Sequence, residues 1–429
     1  MVTTQALRKH LSVTDGFVLY TSAVLGQSLI VLPSIAARDA GPWSILIWVA
    51  LAAVSYPLAR IMAELGARYP SAGGVIAFIG HGLGQRTGWL TGTLYLAAIA
   101  VGGPASALVF SEYLGKLVAL PAPWHFLVAA VLLALLVVGN CFDVSRVMRL
   151  QRWGFFACLA AITVALLLAV PHITTARLTD LRGSDLMGVA STGRSCFFAF
   201  VGWENAAFSG EEFADPRTLL KALGLAVAAV GTLFVLLGVT VVGALSRSVI
   251  ATSDASLADL VRLSLGATAT SVAAVIALVL LILFMFTWTR SATRLIYALA
   301  REGLFPRPLA HVDGATGAPR RAALALGGAW GLALAVQMLL RIPIETYIQL
   351  SSANFLLTYV LIVVTAWRLL DVRRFLLALV SSSLAILVLV VAGFQSLWYA
   401  LATAALFAAI MVVRQRYVAV RLYVRDDAA

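Results

Sequence analysis

Charge is scarce in this chain. Asp, Glu, Lys and Arg make up 12% of its 429 residues, against 62% hydrophobic residues and a mean hydropathy of +0.97. Polar linkers of the kind that separate soluble domains are missing, and so are low-complexity segments. That excludes a soluble multidomain protein and leaves an integral membrane protein, whose spans each need about 20 mostly apolar residues. Cysteine is sparse too. Cys141, Cys158 and Cys196 are odd in number and far apart, so neither a disulfide framework nor a metal site is implied. The five histidines are scattered, with no HExxH and no nucleophile–base grouping, so the sequence offers no enzyme machinery and calls for no cofactor. No charge ring or carbonyl-filter motif suggests a channel. The formal charge of +12 sits between apolar runs rather than on one patch, which argues against nucleic acid.

What is present is a series of apolar runs. They fall near 11–37, 43–66, 87–115, 124–141, 152–171, 187–210, 219–245, 265–299, 321–339, 343–367, 374–393 and 396–413. The pattern predicts an all-α protein of twelve transmembrane helices in the lipid bilayer. The first run, after Arg8 and Lys9, resembles a signal peptide but is too long for one, and eleven more follow. With the amino terminus inside, inner segments hold 23 of the 31 Lys and Arg residues and outer segments hold 8. The positive-inside rule therefore places both termini in the cytoplasm. Arg414, Arg416, Arg421 and Arg425 hold the last helix at that surface, with lipid-headgroup binding as the alternative. The connection 171–187 has room for a short helix.

Two of the runs are interrupted. In the sixth, Gly202-Trp203-Glu204-Asn205 breaks the apolar pattern, and Glu204 is a carboxylate inside a hydrophobic span. Such a group costs roughly 2.5–3.5 kcal/mol on insertion scales unless it faces protein or a water-filled cavity. An unwound helix is tolerated at that depth only where its backbone lines a cavity or is buried in protein. The alternative is a glycine kink whose glutamate bonds a neighbouring helix. In the first run, Gly26, Gln27, Ser28 and Pro33 interrupt in the same way, though small and polar residues also serve close helix packing. Breaks at corresponding positions of two five-helix halves point to a transporter site of the LeuT type. The predicted layout is a 5+5 inverted repeat, residues 12–172 and 186–370, plus two carboxyl-terminal helices over 371–414.

Helix dipoles assign jobs to the breaks. The outer half of the first helix starts near Gln27, and its free N–H groups suit a carboxylate. The outer half of the sixth ends near Phe200 and Val201, where carbonyls suit an ammonium group. Together they describe an α-amino acid. Ser22, Ala23, Leu25, Gly26, Gln27 and Ser28 from the first break are candidate binding residues, with Phe198, Val201, Gly202 and Trp203 from the sixth. Phe198, Val201, Trp203 and Trp288 supply apolar surface, which favours a neutral, apolar side chain; each aromatic taken alone reads equally as core or lipid-facing. Glu204 is the candidate coupling group, and Trp288 a candidate gate.

Three motifs carry a resemblance. Glu64-Leu-Gly-Ala-Arg-Tyr69-Pro70-Ser71-Ala72-Gly73-Gly74-Val75, with Gly82 and Gly84, looks like the loop between helices two and three of the amino acid–polyamine–organocation permeases. Phe197 to Glu204, followed by Glu212-Phe-Ala-Asp215-Pro216-Arg, resembles their sixth helix and its exit. Arg294 to Pro306, then Gly317-Ala-Pro319, resembles the loop after helix eight. Within the family, the short loops and the Leu25-Gly26 break are most similar to the enterobacterial branch that exports methionine and branched-chain amino acids. The resemblance implies an amino-acid carrier in a bacterial inner membrane, with Phe198 at an aromatic gate position and Glu204 behind the sixth-helix break. Ser28 stands where the family has a second glycine, which narrows the carboxylate site, and Thr218-Leu-Leu-Lys221 replaces a proline-bearing element.

The expected function is secondary active transport of neutral, apolar L-amino acids by alternating access, as an exporter coupled to protons. Importer and exchanger share these residues, and a sensor on the same fold is the non-transport alternative. Sodium is disfavoured because Val272–Phe286 contains no Ser or Thr, Arg290 adjoins the nearest hydroxyls at Thr287 and Thr289, and 152–171 has no built-in lysine. The sequence carries no signal for oligomeric state.

Overall fold

A computed structural model describes residues 7, 9–142, 144–181, 188–189, 192–193, 196, 198–252, 255–266, 270–370 and 398–411. Among these residues every regular element is a helix. The helices are α1 Val13–Ala40, α2 Trp43–Arg68, α3 Val75–Leu83, α4 Gln85–Val118, α5 His125–Gly139, α6 Val144–Ala169 and α7 Thr175–Leu178, then α8 Asn205–Phe208, α9 Pro216–Ala244, α10 Arg247–Thr252, α11 Ser256–Leu265, α12 Thr270–Arg301, α13 Arg320–Leu340 and α14 Ile344–Leu369. A shorter apolar helix, α15, covers Trp398–Met411. Eight of them, α2, α4, α5, α6, α9, α12, α13 and α14, are long and apolar enough to cross a membrane, and the bent α1 makes a ninth if its halves count as one span. The predicted eleventh span, 374–393, and the carboxyl-terminal tail lie outside the described residues. The short helix expected in 171–187 is α7.

Small residues let α1, α2 and α9 pack closely. A β-carbon on Gly16 of α1 would meet Ala222 at 2.7 Å, and one on Gly231 of α9 would meet Ala52 at 2.9 Å. Trp48 of α2 lies 4.8 Å from the Phe234 ring, nearly parallel to it. On the other side, α4 packs against α13 and α14, where the Trp330 indole donates to the Ile99 carbonyl at 2.9 Å. Without a hydrophobic drive between helices in lipid, such close contacts and cross-helix hydrogen bonds carry the association.

The three motifs meet in space where the sixth segment exits. Gly74, with φ +54°, takes a backbone shape that favours glycine and presses its α-carbon against the Phe208 ring of α8. Glu211 accepts the Ala72 N–H at 2.9 Å, the Leu7 N–H at 3.2 Å and two Arg301 N–H groups at 3.0 and 2.9 Å. Glu212 takes Arg290 and Arg294, and its carbonyl accepts the His10 and Leu11 N–H groups. The loop, the exit and the end of α12 are thus one ionic clamp that also pins the segment before α1. Burial works against the charge on Glu212, but Arg290 and Arg294 outweigh it and hold its carboxyl at about 2. Its contribution is therefore full above the ordinary value of 4.5 and is lost only as pH falls toward 2.

Removing one partner of a buried ion pair strands the other charges, at about 3–5 kcal/mol. Glu212→Gln should accordingly lower the thermal midpoint of the detergent-solubilised protein well below that of Glu211→Gln, whose partner Arg301 is part-exposed. Equal midpoints for the two variants by size-exclusion thermostability would show that Glu212 is not the anchor.

Candidate functional site

The departure of α1 from helical geometry is concentrated at Gly26, with φ −11° and ψ −114°. Val13–Gly26 and Ser28–Ala40 meet there at 46°. Pro33, which the sequence groups with this break, runs within the second half as an ordinary helical residue. The sixth segment breaks where expected. A single turn, Phe198–Phe200, ends at Val201, Gly202 adopts φ +131°, and α8 resumes at Asn205. Only glycine adopts that φ without strain, and a β-carbon there would also stand 2.8 Å from the Ala23 carbonyl oxygen and 3.1 Å from Val24. The two breaks therefore touch, backbone against backbone.

Each break is repaired by side chains from elsewhere. The Trp288 indole of α12 donates to the Ala23 carbonyl at 3.1 Å, the acceptor left over where α1 bends. Gly202 N–H is shared by Glu204 Oε2 and Tyr359 Oη, each at 3.2 Å, and the Tyr359 hydroxyl donates to the same carboxylate oxygen. Asn205 returns its amide to the Gly202 carbonyl at 2.9 Å. Glu204 is thus fully buried and bonded to its own broken turn and to α14.

The structure brings Ala23, Gly26, Gly202, Glu204 and Trp288 into one neighbourhood. Leu25 and Trp203 are buried beside them, Ser22 is buried, and Val201 and Ser28 are partly buried. The backbones of Gln27 and Phe198 are among the described residues; their side chains are not. Several buried polar atoms around the breaks have no hydrogen-bond partner among the described residues: Thr21 Oγ1, Ser22 Oγ, Trp203 Nε1, Glu204 Oε1, Asn205 Oδ1 and Tyr95 Oη. Buried polar groups are ordinarily paired, with protein or with ordered water.

Four further residues surround the breaks that the sequence reading did not select. Tyr359 supports Glu204. Tyr95 of α4 stacks on Trp288 at 6.1 Å and meets Phe208 at 4.7 Å and Phe355 at 5.2 Å. Phe284, one turn before Trp288, covers Gly26 so closely that a β-carbon there would overlap its ring. A signal existed for the tyrosines: Tyr in a membrane span belongs in the interfacial belt, and one at mid-span needs a partner for its hydroxyl. Phe284 and Phe355 carry no such signal.

The surroundings of Thr287 differ from expectation. Arg290, whose charge beside Thr287 and Thr289 counts against a cation in the sequence reading, is paired with Glu212. The Thr287 hydroxyl instead accepts the Gln151 amide of α6 at 2.9 Å and donates to the Leu283 carbonyl. Among the described residues no group of three or more His, Cys, Asp or Glu is placed to hold a metal ion.

Residues 11–420 match the family model described as amino acid permease. The chain is 28% identical to an uncharacterized amino acid permease, YecA, of Bacillus subtilis, over 86% of this chain and 87% of that protein. It is also 28% identical to the L-methionine/branched-chain amino acid exporter YjeH of Escherichia coli, over 91% and 94%. Human cationic amino acid transporter 4 is 28% identical over 82% of this chain and 58% of its own length. These relatives are permeases and transporters, not enzymes. Together with the helical membrane architecture, they make this chain a member of the amino acid permease family of the amino acid–polyamine–organocation superfamily.

Proposed function

We propose that the chain is a secondary active exporter of neutral, apolar L-amino acids, working by alternating access and coupled to protons. The observation that carries this reading is the contact between the two breaks, Ala23 and Val24 against Gly202, ringed by buried polar atoms without a partner among the described residues and by aromatic side chains. The proposed architecture is twelve spans with both termini in the cytoplasm, residues 12–172 and 186–370 forming inverted five-helix repeats and 371–414 two further helices. The α-carboxylate is read against the N–H groups after Gly26, and the α-ammonium against the carbonyls before Gly202. Phe198 and Trp288 are the gates.

Substrate class rests on the site, because the named relatives differ in substrate. Side chains bordering the breaks are apolar, aromatic or uncharged polar, and the carboxylate among them, Glu204, is engaged by Tyr359 and Gly202. A charged substrate side chain would be buried without a partner, at a cost of several kcal/mol. Resemblance to the methionine and branched-chain exporter supports the same class and the outward direction.

Protons rather than sodium are supported by what the oxygens are doing. Ala23 O is taken by Trp288, and the Thr287 hydroxyl is taken by Gln151, so first-helix carbonyl and eighth-span hydroxyl are both engaged. Glu204 is the buried group able to exchange a proton. Its Oε2 is bonded and its Oε1 is not, so protonation would add a donor where no acceptor now stands and shift the bonding of the unwound turn.

Three outcomes test this reading. Gly26→Val should abolish transport in a folded, monodisperse protein, because its branched side chain would permanently fill the space beside the freed N–H groups; affinity like the wild type would move the carboxylate site elsewhere. In competition binding, methionine, leucine, isoleucine and valine should displace one another while lysine, arginine and glutamate do not. Strong competition by lysine would show Glu204 facing the substrate. Finally, sodium-free proteoliposomes made acidic inside should accumulate methionine by exchange for outgoing protons, and Glu204→Gln should lose that drive while keeping methionine–methionine exchange. Sodium-dependent accumulation, or an unchanged pH response in Glu204→Gln, would overturn the coupling; saturable binding without flux would favour a sensor.

A further inference from the structure

Phe284 touches both the kink of α1 and a small cavity beside it. One side of its ring covers Gly26 at the kink of α1. The residue also lines a cavity of about 90 Å³, walled mainly by Gly102, Gly103 and Ser106 of α4, Trp330 of α13, and Ser351 and Phe355 of α14. Trp288, one turn along α12, closes the same cavity and is fixed by its hydrogen bond to Ala23 and by contact with Phe355 at 5.0 Å. Phe284 has no polar handle to fix it. Its ring is partly buried and tilted 51° against Trp288 at 5.8 Å.

Resting on the transport reading, we propose that Phe284 is a displaceable plug of the first-helix break. In the state described, its ring fills the space in which a substrate carboxylate would meet the N–H groups after Gly26. A substrate reaching Gly26 swings the ring into the neighbouring cavity. On an α-helix a phenylalanine has two accessible χ1 wells, near 180° and −60°, so a second position is available without unwinding α12. Two serines are the only hydroxyl side chains in the cavity lining, and an apolar void of this kind accepts a hydrocarbon ring more readily than water. The Trp288 hydrogen bond keeps the Ala23 carbonyl satisfied while the Phe284 ring moves. The plug makes the open break a minor state, and apparent affinity falls by the fraction of molecules in which it is open.

The test uses equilibrium binding of radiolabelled methionine to purified full-length protein. Phe284→Ala should bind roughly threefold to tenfold more tightly, the gain expected when an open break populated in about a third to a tenth of molecules becomes the only state. Ser106→Leu, which fills the receiving cavity, should weaken binding in the wild-type background and have no effect beside Phe284→Ala. Unchanged or weaker binding in Phe284→Ala, or an equal effect of Ser106→Leu in both backgrounds, would overturn the plug. A second arm needs no substrate: with Cys141, Cys158 and Cys196 replaced by serine, a cysteine at position 28 (Ser28→Cys) should react several-fold faster with a water-soluble thiol reagent once Phe284→Ala is added. Equal rates would also overturn it. If no variant binds any amino acid, the transport reading falls, while the labelling rates still decide the plug.

Discussion

Backbone amides inside a bilayer have no water to turn to, and each one left unpaired costs several kcal/mol. Everything distinctive about this molecule follows from how it meets that constraint at two interrupted helices. The repair is made by side chains: Trp288 for the Ala23 carbonyl, Tyr359 and Glu204 for the Gly202 N–H, Asn205 for the Gly202 carbonyl. Two of the four come from α12 and α14, which have no break of their own. The breaks are therefore hydrogen-bonded to a frame, and any movement of one against the other must exchange these bonds rather than simply slide apolar surfaces.

A second arrangement, at the segment's exit, solves a different problem. Two adjacent glutamates face opposite partners: Glu211 holds Arg301, the loop at Ala72 and the chain at Leu7, while Glu212 holds Arg290 and Arg294. Three guanidinium groups along one helix would repel one another and resist burial without these carboxylates. With them, the end of α12, the loop after α2 and the stretch before α1 become a single body. Gly74 against Phe208 supplies the packing that brings the loop close enough for Ala72 to reach.

The positions of the breaks were legible because glycine and polar residues stand out in an apolar run. Gly26 and Gly202 both fall where the chain departs from helical geometry, and Glu204 is buried beside the second. Their partners were not legible. Phe284 and Phe355 look like any other aromatic residue in a span, since lipid and protein core select for the same side chains. Gln151 falls just outside the predicted fifth span, so its reach to Thr287, 136 residues away, has no local trace. The partner of Arg290 was not legible for a related reason: Glu212 lies 78 residues earlier. Residue type reports what a position cannot tolerate; it does not report which helix supplies the remedy.

These two arrangements share one element. α12 carries Phe284 over Gly26, Trp288 on Ala23, then Arg290 and Arg294 on Glu212, all within about 15 Å at a helical rise of about 1.5 Å per residue. A helix is stiff over that length, so the contacts it makes with α1 and with the exit of the sixth segment are not independent. Tilting the first half of α1 away from α12 would strain the Trp288 bond at the kink, and it would pull on His10 and Leu11, which hang from the Glu212 carbonyl. Loosening the clamp in turn frees the segment whose other end is the break at Gly202. The neutral contacts at the kink and the charged ones at the exit are thus two ends of the same lever, and the uncharged end is the cheaper one to rearrange, because breaking it strands no buried charge.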